Sequence, residues 1–124
     1  MSHPTRRAST SQAVREAAPA LVDRLGRAFI GIGCAHFAAG RYERAALWAQ
    51  SGVGAFPASF WGERIVVAAA VHAGARAEAR RTARKLLRKD PDLTVSVARQ
   101  AWPFQPEFME RLADGLTTAG MPRA

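Results

Sequence analysis

The sequence predicts an all-α fold in which two helix-turn-helix repeats stack as a short α-solenoid, followed by a closing helical segment. Apolar residues recur every three to five positions between residues 20 and 122, which is the period of amphipathic helices. Runs of β-branched residues with period two, typical of strands, are absent. Two stretches of the chain also correspond without a gap at a distance of 34 residues.

Composition limits the class of protein. The 124 residues suit one domain, and a hydrophobic fraction of 48% excludes a disordered chain. No uninterrupted apolar stretch approaches the roughly 18 to 20 residues that cross a bilayer, so we expect no membrane span. The single cysteine excludes an intramolecular disulfide and a cysteine-rich zinc site, which favours a cytoplasmic protein.

The first helix is expected to follow a flexible basic tail formed by residues 1–19. It would begin near Ala20, because Pro19 suits the first helical position, where its missing N–H needs no partner. One apolar face runs along it, made by Leu21, Leu25, Phe29, Ile32 and Phe37. Gly40 is expected to end this helix in the left-handed conformation.

The second helix is expected from Tyr42 to about Val53, and Pro57 closes it. Three small residues share one of its faces, so a neighbouring helix can approach closely. They are Ala45, Ala46 and Ala49.

The third helix, within "FWGERIVVAAAVHA", follows Ser59 as its N-cap. It is apolar nearly all round, which indicates neighbours on both sides. Gly74 is expected to end it. The fourth helix would run from about Ala77 to Lys89 and stop before Pro91.

The C-terminal segment is expected to contain a short helix capped by Asp92, a bend at "AWPFQP" and a last amphipathic helix in "PEFMERLADGLTTAG". Phe104 would pack on Met109 as a hydrophobic staple. Gly120 and Pro122 would end the last helix.

The 34-residue register resembles the tetratricopeptide repeat. The positions that carry the resemblance are Phe29, Ile32, Gly33, Gly40, Tyr42, Ala45, Ala49 and Pro57 in the first unit and Val66, Gly74, Ala79, Ala83 and Pro91 in the second. The second unit departs from the pattern at Glu63, Val67 and Arg76. The resemblance implies a domain over residues 20–122, with repeat one at about 26–59, repeat two at about 60–93 and closing helices over 93–122.

The C-terminal order "DPDLTV...PF...ERL..GL..AGMP" also resembles the end of a group of bacterial multidomain proteins. In these, a tetratricopeptide region follows a class III adenylate or guanylate cyclase domain or a winged-helix DNA-binding domain. The resemblance implies a regulatory tail without catalysis, because the cyclase chemistry belongs to a separate domain.

The repeat resemblance also implies a concave groove lined by the first helix of each unit. Its positions fall on Arg27, Ile30, Cys34, Phe37 and Ala38 in the first unit and on Trp61, Arg64, Ala68, Val71 and His72 in the second. Such a groove would bind a peptide or helix of a protein partner, with arginines contacting carboxylates and aromatics providing apolar anchors. The alternative is that Phe37, Trp61 and Val71 are buried against the closing helices.

Catalytic and cofactor motifs are missing from the sequence, which predicts a protein that is not an enzyme and holds neither cofactor nor metal. There is no P-loop, no HExxH motif and no nucleophile elbow. Cys34 and His36 are two residues apart, so on a helix they point to nearly opposite faces and do not share a metal.

A basic run gives the main alternative function. Its seven cations are Arg76, Arg80, Arg81, Arg84, Lys85, Arg88 and Lys89. On a helix they form a strip that could follow a phosphate backbone, and the formal net charge of +8 agrees with this. The competing interpretation is a solvated helix face that serves solubility.

A homodimer is a further alternative, with Trp48, Phe56 and Trp102 as candidates for its interface.

Overall fold

The all-α prediction is confirmed by the structure, a computed structural model that describes the backbone of residues 4–59, 61–100 and 105–124 and their side chains from Ala18 onward. These ranges contain helices and no strand. The helices are α1 (Pro4–Ala38), α2 (Tyr42–Ala55), α3 (Gly62–His72), α4 (Arg76–Lys89), α5 (Val95–Gln100) and α6 (Pro106–Thr118).

Helix α1 begins at Pro4, well before the predicted start near Ala20. Residues 4–19, which were expected to form a flexible tail, continue the helix, and Pro19 lies inside it. The stretch before Pro19 is rich in Ala, with Gln, Arg and Glu, all of which favour helix. Pro19 removes one main-chain hydrogen bond but does not end the helix.

Three helices end as predicted, at glycines in the left-handed region. Gly40, Gly74 and Gly120 have φ angles of 78°, 91° and 95°. After Gly40, the N–H of Arg41 donates to the carbonyl of His36 at 2.9 Å, which closes a Schellman motif. The equivalent bonds join Ala75 to Ala70 at 2.8 Å and Met121 to Leu116 at 3.0 Å.

Hydroxyl groups cap the starts of α3 and α5. Ser59 Oγ accepts hydrogen bonds from two successive backbone N–H groups at the start of α3, at 3.2 and 3.1 Å, as predicted. At α5 the prediction of Asp92 as the cap is wrong. Thr94 Oγ1 accepts the N–H of Val97 at 3.1 Å instead, because Thr94 directly precedes the helix whereas Asp92 lies in the turn before it.

The 34-residue period is present in the backbone. Helices α2 and α4 each have 14 residues, and α4 begins and ends 34 positions after α2. The last residue of α3 likewise lies 34 positions after the last residue of α1. The residues before them, Arg41 and Ala75, have φ/ψ of −91°/72° and −93°/61°. The residues after them, Phe56 and Asp90, have −137°/74° and −137°/80°. The two stretches therefore share one local geometry.

Helix α3 forms the centre of the core. It packs against α1, α2, α4 and α6, and its residues from Gly62 to Ala70 are buried. Close approach depends on glycines on the neighbouring helices. A Cβ on Gly115 of α6 would lie 2.6 Å from the Cα of Ala68, and one on Gly33 of α1 would lie 3.0 Å from the backbone nitrogen of Ala49. A larger residue at position 115 would force the helices to shift, and one at position 33 would make a tight contact with α2.

Candidate functional site

The second-unit half of the predicted groove is covered by α6. Gly115 of α6 packs on Ala68, which is fully buried. One turn further along α3, His72 Nε2 donates a hydrogen bond to the carbonyl of Arg111 at 2.7 Å. Since the carbonyl can only accept, Nε2 carries the proton. Ala68 and His72 therefore contact the closing helix, and the exposed part of His72 faces the turn at Gly40 and Arg41.

Phe37, which was predicted to line the groove, is the centre of a buried aromatic cluster. Its ring centroid lies 5.4 Å from that of Tyr42, 5.9 Å from His72 and 4.9 Å from Phe108. All three pairs are edge-to-face, and the Phe37 side chain is fully buried. The alternative interpretation, burial against a closing helix, applies to this residue.

Arg111 of α6, which was not among the predicted site residues, links the first helix pair (α1 and α2) to the second (α3 and α4). Its carbonyl accepts the hydrogen bond from His72 of α3, and its side chain reaches α1 and α2. Its guanidinium donates to the carbonyls of Phe37 and Ala38 at 3.1 and 3.0 Å and to the hydroxyl of Tyr42 at 3.1 Å. Both carbonyls lie at the C-terminal end of α1, where a cation is favourable, and that of Phe37 also accepts the N–H of Gly40 at 3.0 Å. Arg111 lies three residues after Phe108 and therefore on the same, buried side of α6. This spacing is the sequence feature from which its contact with α1 could have been predicted.

An open groove remains between α1 and the first turns of α6, with a volume of about 570 Å³. From α1 it is lined by Arg27, Ile30, Gly31, Cys34, Ala35 and Ala38. Glu107, Phe108 and Arg111 contribute to the α6 side. Four of the predicted groove positions are therefore brought together here, namely Arg27, Ile30, Cys34 and Ala38. Pockets of about 300 to 1,000 Å³ with apolar walls and few polar groups are typical of ligand sites.

The groove combines a neutral floor with charged ends. Burial raises the pKa of the Cys34 thiol to about 11, so at neutral pH the thiol stays protonated and behaves as an apolar group. Arg27 lies at one end, with its guanidinium carbon 4.9 Å from the ring centroid of Phe56. Arg111 lies at the other end, where it donates to the carbonyl of Ala38, and Glu107 also lines the groove. This arrangement suits an apolar ligand segment with a carboxylate.

Arg64 is buried and takes no part in this groove. Its guanidinium carbon lies 4.5 Å from the ring centroid of Trp61, and its Nε atom has no hydrogen-bond partner among the described residues. Burial lowers the pKa of Arg64, and the negative charge of Asp90 acts in the opposite direction. Trp61 and Val71 are half-buried. The second-unit positions thus lie away from the open groove.

The basic run lies on α4, and all seven of its cationic residues are exposed. Lys89 forms an ion pair with Glu63 and donates to the carbonyl of Pro57 at 2.9 Å. Glu63 departs from the repeat pattern and is buried, so this ion pair compensates for its charge. Within the run, Glu78 accepts a hydrogen bond from Gln50 at 3.3 Å.

The described residues contain no group of three His, Cys, Asp or Glu side chains that could hold a metal ion. Cys34 lies on the groove floor, whereas His36 Nδ1 accepts a hydrogen bond from Arg41 Nε at 2.8 Å. Within the same ranges, no helix is both long and apolar enough to cross a membrane.

Of the proposed homodimer residues, Trp48 is exposed and its ring centroid lies 5.4 Å from that of Phe29, while Phe56 is half-buried. Trp102 and the expected staple residue Phe104 lie outside the described residues.

No protein-family model matches this chain, and neither a curated protein nor a solved structure matches it significantly.

Proposed function

We propose that this protein is a non-catalytic helical-repeat interaction module of the tetratricopeptide type, which binds a peptide or short helix of a partner protein. The observation that carries the proposal is the groove of about 570 Å³ between α1 and α6. Its apolar floor and charged ends fit a segment of polypeptide that combines apolar anchors with a carboxylate.

The backbone period supports the repeat assignment. Helices α2 and α4 have the same length, matching dihedral angles at both ends and a separation of 34 residues. A repeat of this length built from a helix pair is typical of tetratricopeptide proteins. A module of this kind acts by presenting a surface, which agrees with the resemblance of its C-terminal end to regulatory tails.

The expected ligand is short. Helix α6 covers α3 near Ala68 and His72, so the ligand contacts α1 from about Arg27 to Ala38. Twelve residues of helix span roughly 17 Å, which accommodates about five residues of extended peptide. We expect one apolar side chain over Ile30 and Cys34 and an acidic group at Arg27.

The test uses two glycine substitutions that the fold should tolerate. Gly31 lies in the groove and Gly54 lies on α2 outside it, and a Cβ at either position meets no atom within 4 Å. Gly31→Phe would fill the groove, whereas Gly54→Phe adds the same side chain elsewhere. Binding would be measured by fluorescence anisotropy with peptides selected from a random displayed library by the wild-type protein.

We expect Gly31→Phe to weaken binding by at least about tenfold, or 1.4 kcal/mol, and Gly54→Phe to leave it unchanged. Circular dichroism checks that both variants keep their helix content. Peptides that bind wild type and Gly31→Phe equally well would rule out the groove as the binding site.

The exposed basic face of α4 favours a second candidate function, binding of nucleic acid. Its test is the salt dependence of anisotropy with a labelled single strand and a labelled duplex. If α4 contacts phosphates, affinity should fall steeply between low and moderate salt. Arg80→Glu together with Arg84→Glu should remove both the binding at low salt and its salt dependence. Affinity that is insensitive to salt and to these substitutions would exclude it.

A further inference from the structure

A second surface lies on the side of α1 that faces away from α3, and we name it the end face. It consists of Leu21, Leu25, Phe29 and Ile32 of α1 together with Trp48 of α2. The α1 residues are spaced by three or four positions, so they form one stripe along the helix. Leu21, Leu25 and Ile32 are 52%, 51% and 38% exposed. Several large apolar side chains are therefore in contact with solvent along a single line.

The same register positions are covered in the second helix pair. Ile32 corresponds to Val66, which is only 3% exposed. Ala28 is exposed, but its counterpart Gly62 is buried against α2, since a Cβ there would lie 2.5 Å from a side-chain atom of Val53. The first pair thus provides a helical cover for the second pair, and nothing in the described chain covers the end face in the same way.

Positive charge borders the end face near the start of α2. Arg41 and Arg44 are exposed there, and Arg41 donates a hydrogen bond to His36, which follows Ile32 by one helical turn. Partial desolvation and the charges of Arg41 and Arg44 lower the pKa of His36. An occupant that carries carboxylates beside its apolar face would complement this border.

We propose that the end face is a docking surface for an acidic amphipathic helix of a partner protein. The stripe from Leu21 to Ile32 runs for roughly 17 Å, which matches about three turns of a docked helix. Leucine-type side chains would cover the stripe, and carboxylates would pair with Arg41 and Arg44. A second copy of the chain fits less well, because each copy carries a net charge of +8.

The probe is a synthetic helical peptide of about four turns, with leucines along one face and glutamates beside them. A matched peptide keeps the leucines and replaces the glutamates by lysines. We expect the acidic peptide to bind at least about tenfold more tightly than the basic one. Its affinity should fall with added salt, because the paired charges are exposed.

Protein variants locate the contact. Leu25→Ser and the pair Arg41→Glu with Arg44→Glu should each weaken binding of the acidic peptide by about tenfold or more. Leu47→Ser is the matched control, because Leu47 is an exposed leucine of α2 outside the end face, and it should leave binding unchanged. All four positions are exposed, so the variants are expected to fold.

Binding of the acidic peptide should also raise the pKa of His36, because carboxylates would offset the charges of the two arginines. Proton NMR titration of the imidazole measures this shift. Equal binding of the two peptides, absence of binding, or binding unaffected by Leu25→Ser would overturn the proposal. A dimer in sedimentation equilibrium that Leu25→Ser converts to monomer would assign the end face to a second copy and would equally overturn it. None of these results depends on the groove between α1 and α6.

Discussion

Helices α2 and α4 have the same length and matching dihedral angles at both ends, but the helix pairs to which they belong have different surroundings. Helix α3 of the second pair is packed by α1, α2, α4 and α6, and most of its length is buried. Helix α1 of the first pair is covered by α2 and α3 but faces solvent along the end face and along the groove beside α6. The local period therefore sets helix geometry, whereas neighbouring helices decide which surfaces remain for binding.

The two helix pairs also differ in whether their charged side chains are buried or exposed. In the second pair, Glu63 is buried in an ion pair with Lys89, and Arg64 is buried beside Trp61. In the first pair, Arg27, Arg41 and Arg44 are exposed beside apolar side chains. Buried charges affect the stability of the fold, whereas exposed charges beside apolar surface are available to a partner.

The largest predicted effect comes from removing the cover that distinguishes the second pair. Gly115→Leu would force a side chain into the backbone of Ala68, because even a Cβ at position 115 would lie 2.6 Å from the Cα of Ala68. We expect the free energy of unfolding to fall by more than about 3 kcal/mol, because neither helix can yield locally. Urea denaturation followed by circular dichroism measures it.

The matched control is Gly31→Leu on the open side of α1, where a Cβ meets no atom within 4 Å. It should stabilise slightly, because leucine favours helix more than glycine does. Comparable losses for Gly115→Leu and Gly31→Leu would contradict the contrast between covered and open sides.

The floor of the open groove gives the next largest effect. The pKa of Cys34 is raised from 9.0 to about 11 in the folded chain, so folding favours the protonated thiol. The stabilisation is complete below pH 9 and is lost as the pH rises from about 9 to 11. The stabilisation amounts to at most about 2.7 kcal/mol.

The measurement compares the free energy of unfolding of wild type and Cys34→Ala at pH 8 and pH 10.5, since other groups also titrate in this range. The wild type should lose more stability than the variant. Parallel losses in the two proteins would show that the groove floor is solvated.

A cation at the junction of the two pairs has the third effect. Arg111→Met keeps a long side chain but removes the donors to the carbonyls of Phe37 and Ala38 and to Tyr42. We expect a loss of about 2 kcal/mol, because these partly buried acceptors would lack a charged donor. Arg99→Met removes an exposed ion pair with Glu110 and should cost less than about 0.5 kcal/mol. Thermal denaturation of both variants compares them, and equal melting temperatures would exclude the junction role.

Much of the fold could be predicted from sequence, because its signals are local. Gly40, Gly74 and Ser59 mark helix ends through backbone conformation and hydroxyl capping, and each acts within a few residues. The helix before Pro19 was missed, because a proline suits the first turn better than the interior and outweighed the helix-forming residues that precede it.

The candidate site was predicted only in part, because it depends on where a distant helix packs. Ile30 and Cys34, which were predicted to line a groove between the first helices of two repeats, line the groove between α1 and α6. Ala68 and His72 do not line it, since α6 contacts them through Gly115 and Arg111, which are 47 and 39 positions away in the sequence. Periodicity shows that α6 has an apolar face but not which partner receives it.

The smallest predicted effect is the difference in stability cost between two equivalent positions, Val66 in α3 and Ile32 in α1. Val66→Ala removes two buried methyl groups from α3 and should lower the free energy of unfolding by about 2 kcal/mol. Ile32→Ala removes a larger group at the equivalent position of α1, yet should cost about 1 kcal/mol less than Val66→Ala, because that side chain is 38% exposed. Chemical denaturation of both variants with the acidic helical peptide present sharpens the comparison. If that helix covers the end face, the cost of Ile32→Ala should rise towards that of Val66→Ala, since the first pair would then be packed as the second already is.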